Sequence, residues 1–339
     1  MTMEGAELTF VPSNAHGEVD HACFASLVVF IHGLHGHYDD FKPAVEALRK
    51  SKEVGETAGI VALRPTVLAS KHFLRFVGAP TEKGILYCAD LVVDVIRRFL
   101  ETHSAAEHLK TISVVGHSLG GLIARAVCKS LYDSNIIGDK GETAALLRAR
   151  AFISIASPHL GIRRPVSGSI FRNTFNRLFH SIAPIVAGQT ATELLLQDKD
   201  QVVKQMATDD YIKSLACFDR LVCYGNVYND LQVPLCTSTL RDRNPYRKSN
   251  AKAKRVITPF KSAPCIVALE DEDSDSSSDH PFAATDPHAK TLQFALKQLN
   301  SLQWEKVDVM LSVDAHNQIL GKSPLSRGRG VLSHLVARL

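Results

Sequence analysis

A serine between two glycines, at the point where a strand should pass into a helix, constrains this chain more than any other stretch. Residues 112–115, apolar apart from Ser113, predict the end of a buried strand, and residues 122–131 predict a helix. Between them lies Gly116-His117-Ser118-Leu119-Gly120. A sharp turn from strand to helix strains the serine backbone, and glycines on either side leave room for it. The pattern predicts a serine hydroxyl exposed above a sheet; the alternative is a glycine-rich connection without chemistry.

A second turn follows an earlier apolar run. Residues 27–31 are all apolar, which predicts a strand buried on both faces, as in a parallel sheet. His32-Gly33-Leu34 comes directly after it. In a hydrolase, this turn would place the N–H of Leu34 opposite the N–H of Leu119. We therefore expect these two groups to donate to one oxyanion.

Histidines and carboxylates near this second turn raise the alternative of a metal site. His32, His35 and His37 are followed by Asp39 and Asp40. Their spacing matches no pattern of zinc ligands. We therefore expect no metal and no cofactor, and interpret His35 and His37 as polar residues of a loop.

Strands and helices alternate along most of the chain. Strands are predicted near residues 60–63, 150–155, 221–224 and 307–311, and a helix with one apolar stripe is predicted from Thr81 onward. This alternation is typical of an α/β fold with a mainly parallel sheet and helices on both faces. We expect six or seven strands in one domain over residues 1–339.

Two stretches interrupt the alternation. Residues 162–218 are predicted to be helical, and apolar residues between 170 and 182 form a stripe flanked by arginines. This stretch is interpreted as a cap or lid over an apolar pocket, or as an ordinary helix packed on the sheet. Residues 241–283 contain a basic block and then an acidic block, which cannot bury a core. We predict a mobile, charged insertion there.

A serine hydroxyl needs a base and a carboxylate partner to become a nucleophile. On a strand–serine–helix scaffold these follow in the order serine, acid, histidine. His316 comes directly after the last predicted strand, whereas His334 lies inside the final predicted helix, so His316 is the candidate base. Asp230 follows the preceding strand and is the candidate acid. Asp219 precedes that strand and would lie at the wrong end of the sheet.

Composition limits the partners and the compartment. The net charge of +4 is too small to indicate a nucleic-acid partner. The seven cysteines are odd in number and form no CxxC pair, which indicates reduced thiols and a cytoplasmic location. No signal peptide or membrane-spanning run is predicted. The sequence leaves room only for peripheral contact with a membrane or lipid-droplet surface, and it does not indicate an oligomeric state.

Six short motifs are spread along the whole chain. They are Val29-Phe30-Ile31-His32-Gly33-Leu34, Val115-Gly116-His117-Ser118-Leu119-Gly120-Gly121, Ser157-Pro158-His159-Leu160-Gly161, Gly188-Gln189-Thr190 with Leu194-Leu195-Leu196, Tyr224-Gly225-Asn226 with Asp230 and Val233-Pro234, and Ala315-His316-Asn317. Together they resemble the serine-esterase, lipase-like family of the α/β-hydrolase superfamily. The charged stretch 241–283 and the short region before the first strong strand depart from that family.

The resemblance implies an α/β-hydrolase fold and a serine hydrolase acting on carboxylic esters of lipids, such as acylglycerols or phospholipids. It implies that Ser118, Asp230 and His316 are catalytic and that Leu34 and Leu119 supply the oxyanion donors. Two alternatives stay open at this point. One is a thioesterase or amidase with the same three residues, and the other is a non-catalytic lipid- or protein-binding module on a hydrolase scaffold.

Overall fold

One sheet of ten strands runs through the described part of the chain. The computed structural model describes residues 2–11, 24–51, 59–69, 78–139, 145–162, 188–242, 244–246, 257–260, 263–269, 288–312, 314–322 and 327–339. The strands are β1 (Thr2–Met3), β2 (Ala6–Val11), β3 (Phe24–Ile31), β4 (Gly59–Pro65), β5 (Thr111–His117), β6 (Arg148–Ile155), β7 (Arg220–Asn226), β8 (Ile257–Phe260), β9 (Ala263–Leu269) and β10 (Trp304–Val309). Their order across the sheet is β1-β2-β4-β3-β5-β6-β7-β10-β9-β8.

The centre of the sheet is parallel and its edges are antiparallel. Strands β4, β3, β5, β6, β7 and β10 pair in parallel. Antiparallel pairs add β2 and β1 at one edge and β9 and β8 at the other. The predicted mainly parallel sheet is confirmed, and the edge strands extend it beyond the six or seven strands expected. Strands β8 and β9 lie inside the charged stretch 241–283; its residues 243, 247–256, 261–262 and 270–283 lie outside the described residues.

Nine α-helices occur among the described residues. They are α1 (Lys42–Lys50), α2 (Ile85–Thr102), α3 (Leu119–Asp133), α4 (Val202–Gln205), α5 (Asp209–Ala216), α6 (Leu235–Ser238), α7 (Ala289–Leu299), α8 (Ala315–Gln318) and α9 (Arg329–Val336). Short 3-10 helices cover Tyr38–Phe41, Pro80–Glu82 and Ser104–His108. None of the helices in the described ranges has the length and apolar character needed to cross a membrane.

Helices cover both faces of the sheet, which explains why β3 is apolar at every position from 27 to 31. In β3, Leu27, Val29 and Ile31 face a core cluster shared with α2, α3, α5 and α7. The intervening Val28 and Phe30 face a second cluster, shared with α1 and α9. All five side chains are buried, and burial of each large apolar one contributes roughly 1.5–3 kcal/mol. This arrangement, with a serine in the turn after β5, is the α/β-hydrolase fold.

Within the stretch 162–218, the structure describes residue 162 and residues 188–218. Residues 163–187, which include the apolar stripe flanked by arginines, lie outside the described residues. The remainder contains α4 and α5, and it contributes Val203, Met206 and Leu215 to the core cluster beside α3. The end of this stretch therefore packs on the sheet domain.

Candidate active site

Ser118 lies in the turn between β5, which ends at His117, and α3, which begins at Leu119. Its backbone has φ 55° and ψ −128°, and a sparsely populated conformation of this kind costs about 1–3 kcal/mol. The turn is held on both sides. The Ser118 N–H donates to the Ile155 carbonyl at 2.9 Å, and the Ser118 carbonyl accepts from the Gly121 N–H at 3.0 Å. The serine is thus fixed at the carboxyl end of the central strands.

Two glycines let the strand, the turn and the neighbouring strand approach closely. A Cβ on Gly116 would lie 2.3 Å from the carbonyl oxygen of Gly120. A Cβ on Gly120 would lie 2.1 Å from the carbonyl oxygen of Ile31 in β3. Both distances are far below van der Waals contact, so neither position accepts a side chain unless the backbone moves.

The loop after β3 passes directly over Ser118. A Cβ on Gly33 would lie 2.8 Å from the Cβ of Ser118 and 3.3 Å from its Oγ. The next residue is Leu34, and its N–H and that of Leu119 donate to no acceptor among the residues described. The first N–H groups of a helix lack partners within it. Two such donors beside a serine hydroxyl are suited to stabilising an oxyanion.

His316 and Asp230 are brought together from different loops. His316 is the second residue of α8, after β10, and Asp230 lies in the loop after β7. The Nδ1–H of His316 donates to Asp230 Oδ2 at 3.0 Å. Their side chains are 5% and 2% exposed, respectively. The carboxylate therefore fixes which imidazole nitrogen carries the proton and leaves Nε2 able to accept one.

Asp230 is also held from its other sides. Asn226 donates to Oδ2 at 2.8 Å, and the N–H groups of Val233 and Gln232 donate to Oδ1 at 2.8 and 3.0 Å. Burial acts to raise the pKa of Asp230, but the hydrogen bond and charge of His316 and the donors from Val233 and Asn226 outweigh it. The net result is a pKa below the ordinary value, which favours the ionised carboxylate.

His117 supports the position of His316. Its Nε2–H donates to the backbone carbonyl of His316 at 2.9 Å, and the two ring centroids are 4.8 Å apart. Burial and the neighbouring His316 hold the pKa of His117 well below its usual value, so it is neutral. The donor nitrogen of His117 is thus occupied by the backbone, which indicates a structural role.

The structure does not join Ser118 to His316 by a hydrogen bond. Within the described residues, the Ser118 hydroxyl has no side-chain partner, whereas His316 already pairs with Asp230. Hydrogen bonds of this kind are often long before a substrate binds and shorten in the complex. The three residues share one end of the sheet, because β5, β7 and β10 are parallel strands of it.

The histidines near the loop after β3 each have a hydrogen-bond partner of their own. His32 is buried, its Nδ1–H donates to the Gly33 carbonyl at 3.0 Å, and burial lowers its pKa to about 4. His35 Nε2 lies 3.0 Å from Glu82 Oε1, and His37 Nδ1 accepts the Asp39 N–H at 3.3 Å. Across the described ranges, no cluster of histidine, cysteine, aspartate and glutamate side chains could hold a metal ion.

A second group of buried polar residues lies along α3. Arg125 is fully buried, and its guanidinium donates to the carbonyl of His159 at 3.2 Å and to that of Met206. Burial lowers the pKa of Arg125 to about 10. His159 Nε2 lies 2.7 Å from Ser154 Oγ. These contacts fasten the helix behind Ser118 to the loop after β6 and to the end of α4, a role that the sequence analysis did not assign to Arg125.

Comparison with known families and proteins gives matches over much of the chain. A family described as "Putative serine esterase (DUF676)" matches residues 24–240. "Putative lipase YDL109C" of Saccharomyces cerevisiae is 33% identical over 165 residues, which is 47% of this chain and 23% of that protein. "Putative lipase ROG1" of the same organism is 30% identical over 219 residues, 63% of this chain and 28% of that protein. The chain thus spans about a quarter of the length of each relative.

Solved structures with a similar fold are distant in sequence. An α/β-hydrolase superfamily protein from Enterococcus faecalis has a TM-score of 0.48 and 11% identity, with 98% of this chain and 94% of that chain covered. Est1E from Butyrivibrio proteoclasticus has a TM-score of 0.45 and 11% identity, with 98% and 92% covered. Identities this low concern the fold alone.

Proposed function

The chain belongs to the family described as "Putative serine esterase (DUF676)", and on that premise we propose that it cleaves the carboxylic esters of lipids through an acyl-enzyme on Ser118. The observation that carries the proposal is the 3.0 Å hydrogen bond between His316 and Asp230. It lies at the end of the sheet where the strained Ser118 turn lies. A nucleophile, a base and an oriented carboxylate are the minimum that acyl transfer by serine requires.

The first half of the proposed reaction forms the acyl-enzyme. His316 Nε2 takes the proton of the Ser118 hydroxyl while Oγ attacks the ester carbonyl carbon. The N–H groups of Leu34 and Leu119 stabilise the oxyanion that forms on the carbonyl oxygen. His316 then gives its proton to the leaving alkoxide, and Asp230 stabilises the imidazolium between these two steps.

The second half releases the acid. A water molecule loses a proton to His316 Nε2 and attacks the acyl carbon, and the bond to Ser118 Oγ breaks as the proton returns to that oxygen. The enzyme is restored with each proton back in its place. Every group in this cycle belongs to the chain itself, so the proposal includes no cofactor and no metal.

The proposed substrates are esters with long apolar acyl chains, such as acylglycerols or phospholipids. Support comes from the names of the two yeast relatives, which both carry the description "Putative lipase". It also comes from exposed apolar side chains next to the candidate acid, since Leu231 is 77% exposed and Tyr228 41%. Exposed apolar side chains next to a site favour contact with apolar substrates.

We also propose a cytoplasmic location with peripheral contact to a membrane or lipid-droplet surface. Of the cysteines in the described ranges, Cys88, Cys128, Cys223 and Cys265 are free, buried thiols. Thiols in this state are typical of a reducing compartment. Fractionation of cells that express the tagged chain tests this proposal, because recovery of the chain in a secreted or luminal fraction would contradict it.

A panel of chromogenic esters with acyl chains of increasing length tests the activity, in buffer and with lipid vesicles. We expect Ser118→Ala to lose about 10⁴-fold or more of kcat/KM while the thermal unfolding midpoint stays close to that of the wild type. The matched control is Ser333→Ala, an exposed serine on α9, which should keep full activity. A fluorophosphonate probe should label the wild type and the control but not Ser118→Ala.

The same panel separates the alternatives. Matching thioesters and amides are included at equal acyl length, and faster turnover of either would replace the ester assignment. A folded wild-type protein that turns over none of these substrates and takes up no fluorophosphonate would point to a non-catalytic binding module. Equal turnover by Ser118→Ala and wild type would remove Ser118 as the nucleophile.

A further inference from the structure

The loop that carries Leu34 contains a turn in which His35 has an unusual backbone conformation. The Gly36 N–H donates to the Gly33 carbonyl at 3.0 Å, which closes a four-residue β-turn around Leu34 and His35. His35 has φ +53°, and Leu34 is not among the residues of positive φ. A positive φ at the third residue defines a type II turn, a position that glycine or asparagine usually occupies. His35 therefore needs contacts that hold it in this conformation.

Two such contacts come from one short segment. The His35 N–H donates to the hydroxyl of Thr81 at 3.2 Å, and His35 Nε2 lies 3.0 Å from the carboxylate of Glu82. In a type II turn the peptide between the second and third residues is reversed relative to a type I turn. Thr81 accepts the N–H of that very peptide. The hydroxyl thus favours the orientation in which the Leu34–His35 peptide is observed.

The segment that holds His35 is itself fixed. The Thr190 hydroxyl donates to the Thr81 carbonyl at 2.7 Å and accepts the Gly84 N–H at 2.9 Å. The Gly78 N–H donates to Glu82 Oε2 at 3.1 Å. A Cβ on Gly188 would lie 2.8 Å from the Glu82 carbonyl oxygen. Residues 78–84 therefore form a rigid support, locked by the Gly188-Gln189-Thr190 motif.

We propose that Thr81 and Glu82 are positioning residues for the oxyanion donor Leu34, acting through His35. The inference rests on the proposed function, because Leu34 matters in this way only if an oxyanion forms at Ser118. Without the tether, the Leu34–His35 peptide can rotate toward the type I orientation. The Leu34 N–H belongs to the adjoining Gly33–Leu34 peptide, so this change in the backbone torsions of Leu34 shifts that N–H relative to Ser118, against which Gly33 packs closely.

Thr81→Val and Thr81→Ser test the first contact. Valine keeps the shape but removes the acceptor of the His35 N–H, whereas serine keeps the hydroxyl. The Thr190 hydroxyl still reaches the Thr81 backbone carbonyl in both variants. Loss of a whole oxyanion donor costs about 10²–10³-fold in kcat, so a misaligned donor should cost about 10-fold. We expect this loss, with KM within about twofold, for Thr81→Val, and recovery in Thr81→Ser.

Glu82→Ala tests the second contact and covers the case that Thr81→Val does not fold. Its matched control is Glu305→Ala, because Glu305 also contacts a histidine, His334, at 4.0 Å, and lies on β10. We expect about a 10-fold lower kcat for Glu82→Ala and no change for the control. A trifluoromethyl ketone with the best acyl chain forms a tetrahedral oxyanion on the serine. The affinity of this ketone should fall by the same factor as kcat/KM in Thr81→Val and Glu82→Ala. It should not change in Glu305→Ala.

The outcomes separate this inference from the proposed function. If the wild type hydrolyses esters and the variants keep its kcat and its affinity for the ketone, the inference alone is overturned. A rise in KM with kcat and ketone affinity unchanged would also overturn it, because a positioned oxyanion donor acts on the transition state. A wild type that neither hydrolyses esters nor binds the ketone would overturn both.

Discussion

Replacement of Asp230 by asparagine should remove activity with little effect on the fold. The carboxylate accepts four hydrogen bonds, from His316, Asn226, Val233 and Gln232. An asparagine amide has only one oxygen, and the two backbone N–H groups will take it. Its NH2 group must then face His316 Nδ1, which becomes an acceptor. The imidazole proton moves to Nε2, and the base can no longer take the proton of Ser118.

The size of the loss follows from this change of tautomer. In serine proteases the same substitution leaves the geometry intact and lowers kcat by about 10⁴, which corresponds to about 5 kcal/mol of transition-state stabilisation. The fold should lose much less. The buried Oδ1 of Asn226 has no hydrogen-bond partner within the described residues, and rotation of that amide would let it accept from the new NH2 group. We therefore expect destabilisation of at most about 1 kcal/mol.

The assay is kcat/KM on the best chromogenic ester, with urea unfolding of the same preparations. Asp219→Asn is the matched control, because Asp219 pairs with Arg148 at 2.8 Å and precedes β7 at the opposite end of the sheet. It should retain activity within about twofold. A loss of less than 10-fold in Asp230→Asn, or an equal loss in both variants, would refute the argument from the tautomer.

Three further results are expected. Gly120→Ala should destabilise the fold by about 3 kcal/mol, since its Cβ would lie 2.1 Å from the Ile31 carbonyl; urea unfolding that leaves the midpoint unchanged would contradict the packing. His334→Ala should keep activity within about twofold but lose about 1 kcal/mol of stability, because His334 contacts the Tyr224 hydroxyl at 2.9 Å and no group of the site. Since the folded pKa of Asp230 lies below its unfolded value, its ionised form stabilises the fold above about pH 4. That contribution is lost as pH falls through the folded pKa, so the stability gap between wild type and Asp230→Asn should close there; a gap that widens in acid would exclude this linkage.

Much of the fold could be predicted because its signals are local. The run 27–31 is apolar at successive positions because its side chains enter two cores, and that pattern lies within five residues. The parallel order of β5, β7 and β10 then explains why Asp230 and His316 meet, although their catalytic roles stay a proposal. The sequence did not predict that β1 and β2 add an antiparallel edge to the sheet. Strand β9 lies between two charged blocks, and these blocks determined the prediction for 241–283.

Contacts between distant loops could not be predicted from such patterns. Thr81 was expected to begin a helix, but Pro80–Glu82 forms a 3-10 turn and α2 begins only at Ile85, after Gly84 with φ 106°. The interpretation of His35 as a polar loop residue was incomplete for the same reason. Its partner Glu82 is 47 residues away along the chain, and only the folded path of both loops brings them together.

Strained backbone recurs at equivalent places in the fold, shortly after the central strands end. The contacts that hold His35 are one example of how such backbone is stabilised. Nine residues other than glycine have positive φ in the described ranges. Five of them occur one to five residues after the carboxyl ends of central strands: His35 after β3, Ser118 after β5, Ala156 after β6, Asn229 after β7 and Asp314 after β10. Such conformations persist only where surrounding contacts over-determine them. Those contacts are the hydrogen bonds from the His35 N–H to the Thr81 hydroxyl, from the Ser118 N–H to the Ile155 carbonyl, and from the Asn229 side-chain amide to the Leu311 carbonyl. The rigid sheet therefore fixes where the loops begin, and these tethers between loops fix the directions in which the donors, the hydroxyl and the imidazole point.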